Sequence, residues 1–199
     1  MSRERWDERY GTEELIWEAE PNGFLVAETE RLVPGRALDV ACGEGRNAVW
    51  LAEKGWDVTG VDFSRVGLAK ARQLAADRGV EVTWVEADVV RWLAQPGSFD
   101  LVVVLYLHLP GEQRRQMLDH ATASLAPGGV LLVVGHDRSN LLRGTGGPQD
   151  PAVLFAPEDL VAELGDLQIE RAERVVRKVV TDAGEATAFD ALVRAVRRH

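Results

Sequence analysis

The chain has 199 residues, 46% of them hydrophobic and 28% charged, with a formal net charge of −9 at pH 7. That length sustains one substantial core. The acidic balance opposes a phosphate backbone, the short basic end of Arg194, Arg197, Arg198 and His199 notwithstanding. A lone cysteine excludes an internal disulfide and offers no metal-ligand cluster, the first ten residues hold no apolar leader, and no apolar run approaches the ~20 residues that cross a bilayer. The expectation is a single cytoplasmic domain over residues 1–199, monomer or homodimer, binding neither nucleic acid, membrane nor metal.

Residues 1–34 come first. Trp6, Asp7 and Tyr10 fall at helical spacing and are followed by Trp17, Asn22 and Phe24. They form either a lid over a site or a surface helix that packs two aromatics on the body; closing a site excludes water and positions reactants. After the Pro34–Gly35 turn, Arg36 to Ala41 reads as a strand buried on both faces. Gly43 and Gly45 turn the chain, leaving backbone open to close approach. A helix from Arg46 to Lys54 turns Ala48, Val49, Leu51 and Ala52 inward and stops at Gly55. Trp56 to Val61 returns as a second strand ending in Asp62, whose carboxylate stands at the ligand-binding edge of an open parallel sheet and can accept from both ribose hydroxyls. A nucleoside-bearing cofactor follows. A dinucleotide turn requires glycines where this chain has Ala41 and Arg46, and Asp39 sets a negative charge beside the turn. A cationic or zwitterionic cofactor suits that turn better than a pyrophosphate.

Ser64 caps a predicted helix to Arg78, with Leu68, Ala71, Leu74 and Ala75 inward and Gly79 at its end. Val80 to Val85 reads as a third strand leading into Glu86, Ala87, Asp88 and Val89. Phe99 and Asp100 open a fourth strand, Leu101 to His108. A helix from about Glu112 to Leu125 packs Met117, Leu118, Ala121 and Leu125, and residues 125–134 turn into a fifth strand. Residues 138–151, rich in glycine and proline, read as a long loop on the substrate side, a length that is usually functional or disordered. A helix from Pro157 to Leu164 precedes a hairpin of Gln168–Val180 and Glu185–Val196 about residues 182–184.

The run Asp39, Ala41, Gly43, Gly45 and Asp62, followed in order by Asp88, Phe99–Asp100 and the 125–134 turn, resembles the class I S-adenosylmethionine-dependent methyltransferases. The resemblance implies a Rossmann-like, doubly wound α/β sheet of seven strands in three layers, ordered 3-2-1-4-5-7-6 with the last strand antiparallel. It implies S-adenosyl-L-methionine as cofactor, S-adenosyl-L-homocysteine as product and a small-molecule methyl acceptor. Gly43, Gly45, Ala41 and Arg46 then line the turn, Asp39 faces the amino-acid end, and Asp62 with Phe63 takes the ribose side. Ala87, Asp88 and Val89 take the adenine, and Leu105 ends the strand beneath the methyl group. Aromatics such as Trp6 and Tyr10 can attract a sulfonium by cation–π contact. The Trp6–Asp7–Tyr10 beginning and Asn22 resemble the tellurite-resistance and thiopurine methyltransferase-like branch, which suggests a thiol or chalcogen oxyanion. That branch carries a His-Arg pair where this chain has Val176 and Arg177.

His108 and His136 follow the fourth and fifth strands and are candidate bases, or else hydrogen-bonded structural residues. Tyr106 is a candidate acceptor contact or packs under the cofactor. Cys42 sits near a helix N-terminus, but direct methyl transfer needs no enzyme nucleophile, so packing is its expected role. Asn22 and Arg138, Arg143, Arg174 and Arg177 are candidates for holding an acceptor, the arginines by charge-assisted hydrogen bonds. Two readings remain beside methyl transfer: a non-catalytic cofactor-binding regulator and a nicotinamide-dependent oxidoreductase.

Overall fold

This computed structural model describes residues 3–12, 14–16, 19–181 and 184–198; Trp17, Asp182, Ala183 and His199 lie outside them. Two short helices come first, α1 (Arg3–Tyr10) and α2 (Gly23–Thr29). Then follow β1 (Arg36–Val40), α3 (Arg46–Glu53), β2 (Asp57–Asp62), α4 (Arg65–Arg78), β3 (Thr83–Glu86) and β4 (Phe99–Leu105). The second half holds α5 (Gly111–Ser124), β5 (Leu125–His136), α6 (Asn140–Arg143), α7 (Pro157–Glu163), β6 (Gln168–Thr181) and β7 (Gly184–Val196). The seven strands form one sheet in the order β3-β2-β1-β4-β5-β7-β6, parallel except for β7, which runs antiparallel to both β5 and β6. The expected order and antiparallel strand are those observed.

The central strands explain the layering. Ala37, Leu38, Val40, Leu101, Val102, Val103, Val104, Leu131 and Leu132 are all buried, as a parallel strand covered on both faces requires. One face packs Met117, Leu118 and Ala121 of α5 and Leu160 of α7; the other packs Leu25 of α2 and Ala48 and Leu51 of α3.

Local chemistry accounts for the element ends. Ser64 Oγ accepts from the Gly67 N–H, and Gly79 closes α4 at φ 67°. Val80 then bonds back to the Ala75 carbonyl, which delays the third strand from the expected Val80 to Thr83. Two helices were not anticipated. Asn22 Oδ1 accepts from the N–H groups of Phe24 and Leu25 and so starts α2. Within the expected irregular loop, Asn140 Nδ2 donates to the Thr145 and Gly146 carbonyls while its Oδ1 accepts from the Phe189 N–H. This one amide ties α6 and its loop to β7.

The hairpin β6–β7 is longer than the sheet that supports it. β5 pairs with β7 only over Asp190 to Val196, so among the strands the stretch Gly184 to Phe189 pairs with β6 alone, overhangs the carboxyl ends of β4 and β5, and takes hydrogen bonds from Asp137 and Thr145 of the loop beyond β5.

Candidate active site

The turn after β1 brings three residues into left-handed backbone: Ala41 at φ 59°, Gly43 at 55° and Gly45 at 82°. The two glycines do different work. A Cβ on Gly45 would lie 2.7 Å from both Ala71 Cβ and Trp84 Cη2, so this glycine lets α3 pack against α4 and β3. A Cβ on Gly43 would meet only the Tyr10 ring, its hydroxyl at 2.7 Å. Gly43 is therefore the glycine that faces the site.

Two buried acids flank this turn. Asp62 Oδ2 accepts from the Gly43 N–H and its Oδ1 from the Ser64 N–H, each at 2.8 Å. It thus ties the ends of β1 and β2 together, and each oxygen keeps a second lone pair for a ligand hydroxyl. Asp39 is 1% exposed, and its Oδ2 has no partner among the described residues. Burial, and after it the neighbouring Asp62, push its pKa up to about 7. An orphaned buried carboxylate oxygen costs free energy unless a ligand donor meets it. An amino group on a zwitterionic cofactor supplies that donor, so these residues fit S-adenosyl-L-methionine.

The remaining expected cofactor residues lie along the same carboxyl edge. Ala87 donates to the Asp62 carbonyl, Val89 is buried, and Asp88 Oδ1 accepts from the Val90 N–H at 3.0 Å, leaving its side chain about half exposed. Phe63 is half-buried, Leu105 is buried at the end of β4, and the Arg46 guanidinium reaches the Glu20 carbonyl. Cys42 is buried under the turn; burial first, then Asp39 and Asp62, raise its thiol pKa, in keeping with packing.

The amino-terminal segment crosses this edge. Tyr10 is buried against Gly43 and Gly67 and stacks on Trp6 with centroids 5.2 Å apart. Ser64 Oγ donates to Asp7. Lys70 Nζ donates to Glu44 Oε1 at 2.9 Å and to the Glu14 carbonyl at 2.7 Å, and Glu44 accepts in turn from the Ile16 N–H. Asn22 is spent on local structure: its side chain caps α2 and its N–H donates to Asn47.

A second group of side chains gathers where β4, β5 and β7 meet. Tyr106, at φ 57°, donates its hydroxyl to Asp190 Oδ2 at 2.7 Å, and Arg177 Nε donates to the same oxygen at 2.9 Å. Such a backbone for a non-glycine residue is sparsely populated and needs support from its surroundings. His136 is aligned with Asp190 across β5 and β7, its Nδ1 3.1 Å from Asp190 Oδ1, at ion-pair distance but outside good hydrogen-bond alignment. His108 Nε2 accepts from the His136 backbone N–H at 2.9 Å. With Nε2 accepting, a neutral His108 carries its hydrogen on Nδ1 and has no free lone pair on the ring. Burial above all, and then His136, lower its pKa to about 4.

The other candidate arginines are distributed. Arg138 is exposed and pairs with Asp159, Arg143 lies over the Phe189 ring, and Arg174 Nε donates to buried Asp137 at 2.8 Å. Only Arg177 joins Tyr106 and the histidines. Sequence reasoning missed Asp190, whose signal is a charged residue inside the apolar run of the final strand, and the Glu44–Lys70 pair, which nothing in the local pattern marks.

A surface hollow bounded by Arg36, Asp57, Thr59, Trp92 and Phe99 lies at the opposite, amino-terminal edge of the sheet, away from these groups.

The chain is similar to known methyltransferases. Residues 37–129 match the family model described as a methyltransferase domain. The chain is 38% identical over 103 residues to a demethylmenaquinone methyltransferase of Thermus thermophilus, covering 51% of this chain and 47% of that protein. It is 30% identical over 119 residues to a 2-heptyl-1-hydroxyquinolin-4(1H)-one methyltransferase of Mycobacteroides abscessus, covering 58% and 52%. The chain thus spans about half the length of the curated relatives it matches. Among solved structures, one described as "Conversion of a Disulfide Bond into a Thioacetal Group during Echinomycin Biosynthesis" aligns over 98% of this chain and 91% of its own, with TM-score 0.81 and 22% identity. TehB from Haemophilus influenzae aligns over 98% and 67%, with TM-score 0.76 and 18% identity. No helix among the described residues is long and apolar enough to cross a membrane. Residues 37–129 are thus similar to a methyltransferase domain, and the chain as a whole has the Rossmann-like sheet order β3-β2-β1-β4-β5-β7-β6.

Proposed function

We propose that this protein transfers the methyl group of S-adenosyl-L-methionine to a small acceptor, that residues 1–199 act as one domain, and that residues 1–34 form its lid. The observation that carries this reading is the orphaned Asp39 carboxylate beside an open glycine turn, with His136 on the same sheet edge. When bound, the cofactor supplies an electrophilic methyl carbon; the protein contributes orientation and dryness. Asp39 receives the amino end, Asp62 and Phe63 the ribose, Ala87 to Val89 the adenine, while Gly43 gives room and Trp6 and Tyr10 cover it.

Acceptor chemistry follows from the second cluster. His108, whose Nε2 lone pair is taken by the His136 backbone N–H, acts as a brace, and His136 is the side chain left to take a proton. This favours an acceptor that loses a proton, a hydroxyl or a thiol, with Tyr106 and Arg177 as its contacts and Arg138 at the rim. A chalcogen oxyanion, which needs no base, is the second reading; the likeness to TehB is compatible with it, but Val176 stands where that branch has histidine.

Methyl-labelled S-adenosyl-L-methionine offered with thiols, phenolic hydroxyls, selenite and tellurite tests this. Label should pass to a protonated acceptor and fall about a hundredfold or more in His136→Gln, the scale of one lost general base. Transfer to tellurite or selenite unaffected by His136→Gln would establish the second reading. Cofactor binding without transfer to any acceptor would favour the regulator, and binding of a nicotinamide dinucleotide in its place would revive the oxidoreductase.

A further inference from the structure

Asp190 is completely buried, lies across from His136, and stands apart from the turn around Asp39, Gly43 and Asp62. We propose that Asp190, held by Arg177 and Tyr106, is a positioning residue that fixes the His136 proton on Nδ1 and leaves Nε2 bare to receive the acceptor's proton. This rests on the methyl-transfer reading and names the device that would give His136 its part in it.

Each contact around the ring has a consequence. Asp190 Oδ1, 3.1 Å from Nδ1 though out of line for a good hydrogen bond, sets a negative charge on that side of the ring, which favours the tautomer that carries its hydrogen there. Asp190 must stay ionised to do this although fully buried. Burial alone would push its pKa up, but contacts from His136, Arg177 and Tyr106 outweigh burial and hold it below the ordinary carboxylate range. Arg177 also lies over the Tyr106 ring, its guanidinium carbon 5.5 Å from the centroid, so the two donors brace each other.

The groups facing His136 come from every neighbouring element. From the end of β4 come Tyr106, edge-on at 5.1 Å, and His108, stacked at 5.2 Å. β7 contributes Asp190, β6 contributes Arg177 through Asp190, and the loop before α7 contributes Gly147. The nearby charges Asp137, Arg138 and Arg143 are turned to Arg174, Asp159 and the Phe189 ring. Gly147 is the telling neighbour. A Cβ there would stand 2.5 Å from His136 Cδ2, 2.7 Å from Cγ and 2.8 Å from Nε2, over the face of the ring, so a glycine, at φ 77°, lets the loop lie against that face and hold the ring in place.

In the step this serves, the bond from the acceptor atom to the methyl carbon forms while the sulfonium carbon–sulfur bond breaks, its electron pair remaining on sulfur. The acceptor's proton moves to His136 Nε2, and the imidazolium so formed stands against the Asp190 carboxylate. No oxidant or reductant enters.

The test is nitrogen-15 NMR of histidine-labelled protein, with His136 assigned by His136→Gln. Wild type should show an Nδ1–H, bare-Nε2 signature at His136. Asp190→Asn should convert it to a mixture or to the other tautomer, and Arg177→Gln should weaken it. A His136 signature unchanged in both Asp190→Asn and Arg177→Gln overturns the proposal, as does an Nε2–H tautomer in wild type. Should Asp190→Asn fail to fold, Arg177→Gln, altering a side chain one-third exposed, decides alone. The spectra need no acceptor, so the expected tautomer in a protein that methylates nothing would uphold this arrangement and overturn the methyl-transfer reading separately.

Discussion

Asp39→Asn isolates the cost of keeping a buried acid ready for a cation. The folded protein raises Asp39 to about 7, whereas an unfolded chain leaves an aspartate near ~3.9. The folded state thus binds this proton more tightly, and its advantage is full below pH ~4 and lost as pH rises to about 7. At ~1.4 kcal/mol per pKa unit, the wild type above pH 7 carries a penalty of up to about 4 kcal/mol. Asparagine keeps the shape and an oxygen for the Ala48 N–H, which Asp39 now accepts, without the charge. Urea unfolding across pH 4–8 should find the variant equal to wild type near pH 4 and more stable at pH 8 by up to ~4 kcal/mol, a rise in melting temperature of roughly 10 °C for a domain this size. The same variant should bind S-adenosyl-L-homocysteine more weakly, having lost the anion that faces the amino group. Equal stability at pH 8, or a difference independent of pH, would refute the reasoning.

Gly45→Ala forces a side chain into left-handed backbone and against Ala71 and Trp84, and should lower stability by about 2–5 kcal/mol in thermal unfolding. Glu163→Ala strands Arg114, held by two hydrogen bonds of 2.9 and 2.7 Å and nearly buried, and should cost about 3 kcal/mol, a loss that Glu163→Gln reduces. His108→Ala removes the acceptor of the His136 N–H and should cost about 1–3 kcal/mol while methyl transfer falls far less than in His136→Gln; the reverse ranking of the two variants would make His108 the base.

The half of the site built on local pattern was legible in the sequence. The strand, glycine turn, helix and Asp62 lie within one short stretch, where apolar runs and glycines report backbone geometry directly. What escaped depends on register. His136 meets Asp190 because β5 and β7 pair in one alignment out of several, and no local periodicity sets it. Gly43 and Gly45 look equivalent as letters; only the packing of Ala71 and Trp84 separates a glycine for the site from one for the helices. Asn22 and Arg138 carried the right chemistry for an acceptor, but a helix cap and an ion pair engage them first. α6 went unseen because one amide, Asn140, holds it from a distance.

The central claim is that S-adenosyl-L-methionine binds the carboxyl edge around Asp39, Gly43 and Asp62. Titrating S-adenosyl-L-homocysteine into nitrogen-15-labelled protein and following backbone amides tests it most directly. The largest shifts should fall on Ala41 to Gly45, Asp62 to Ser64 and Ala87 to Val89, with no response to a nicotinamide dinucleotide. Shifts confined to the opposite edge about Arg36, Asp57 and Thr59, or a response to the dinucleotide alone, would contradict it.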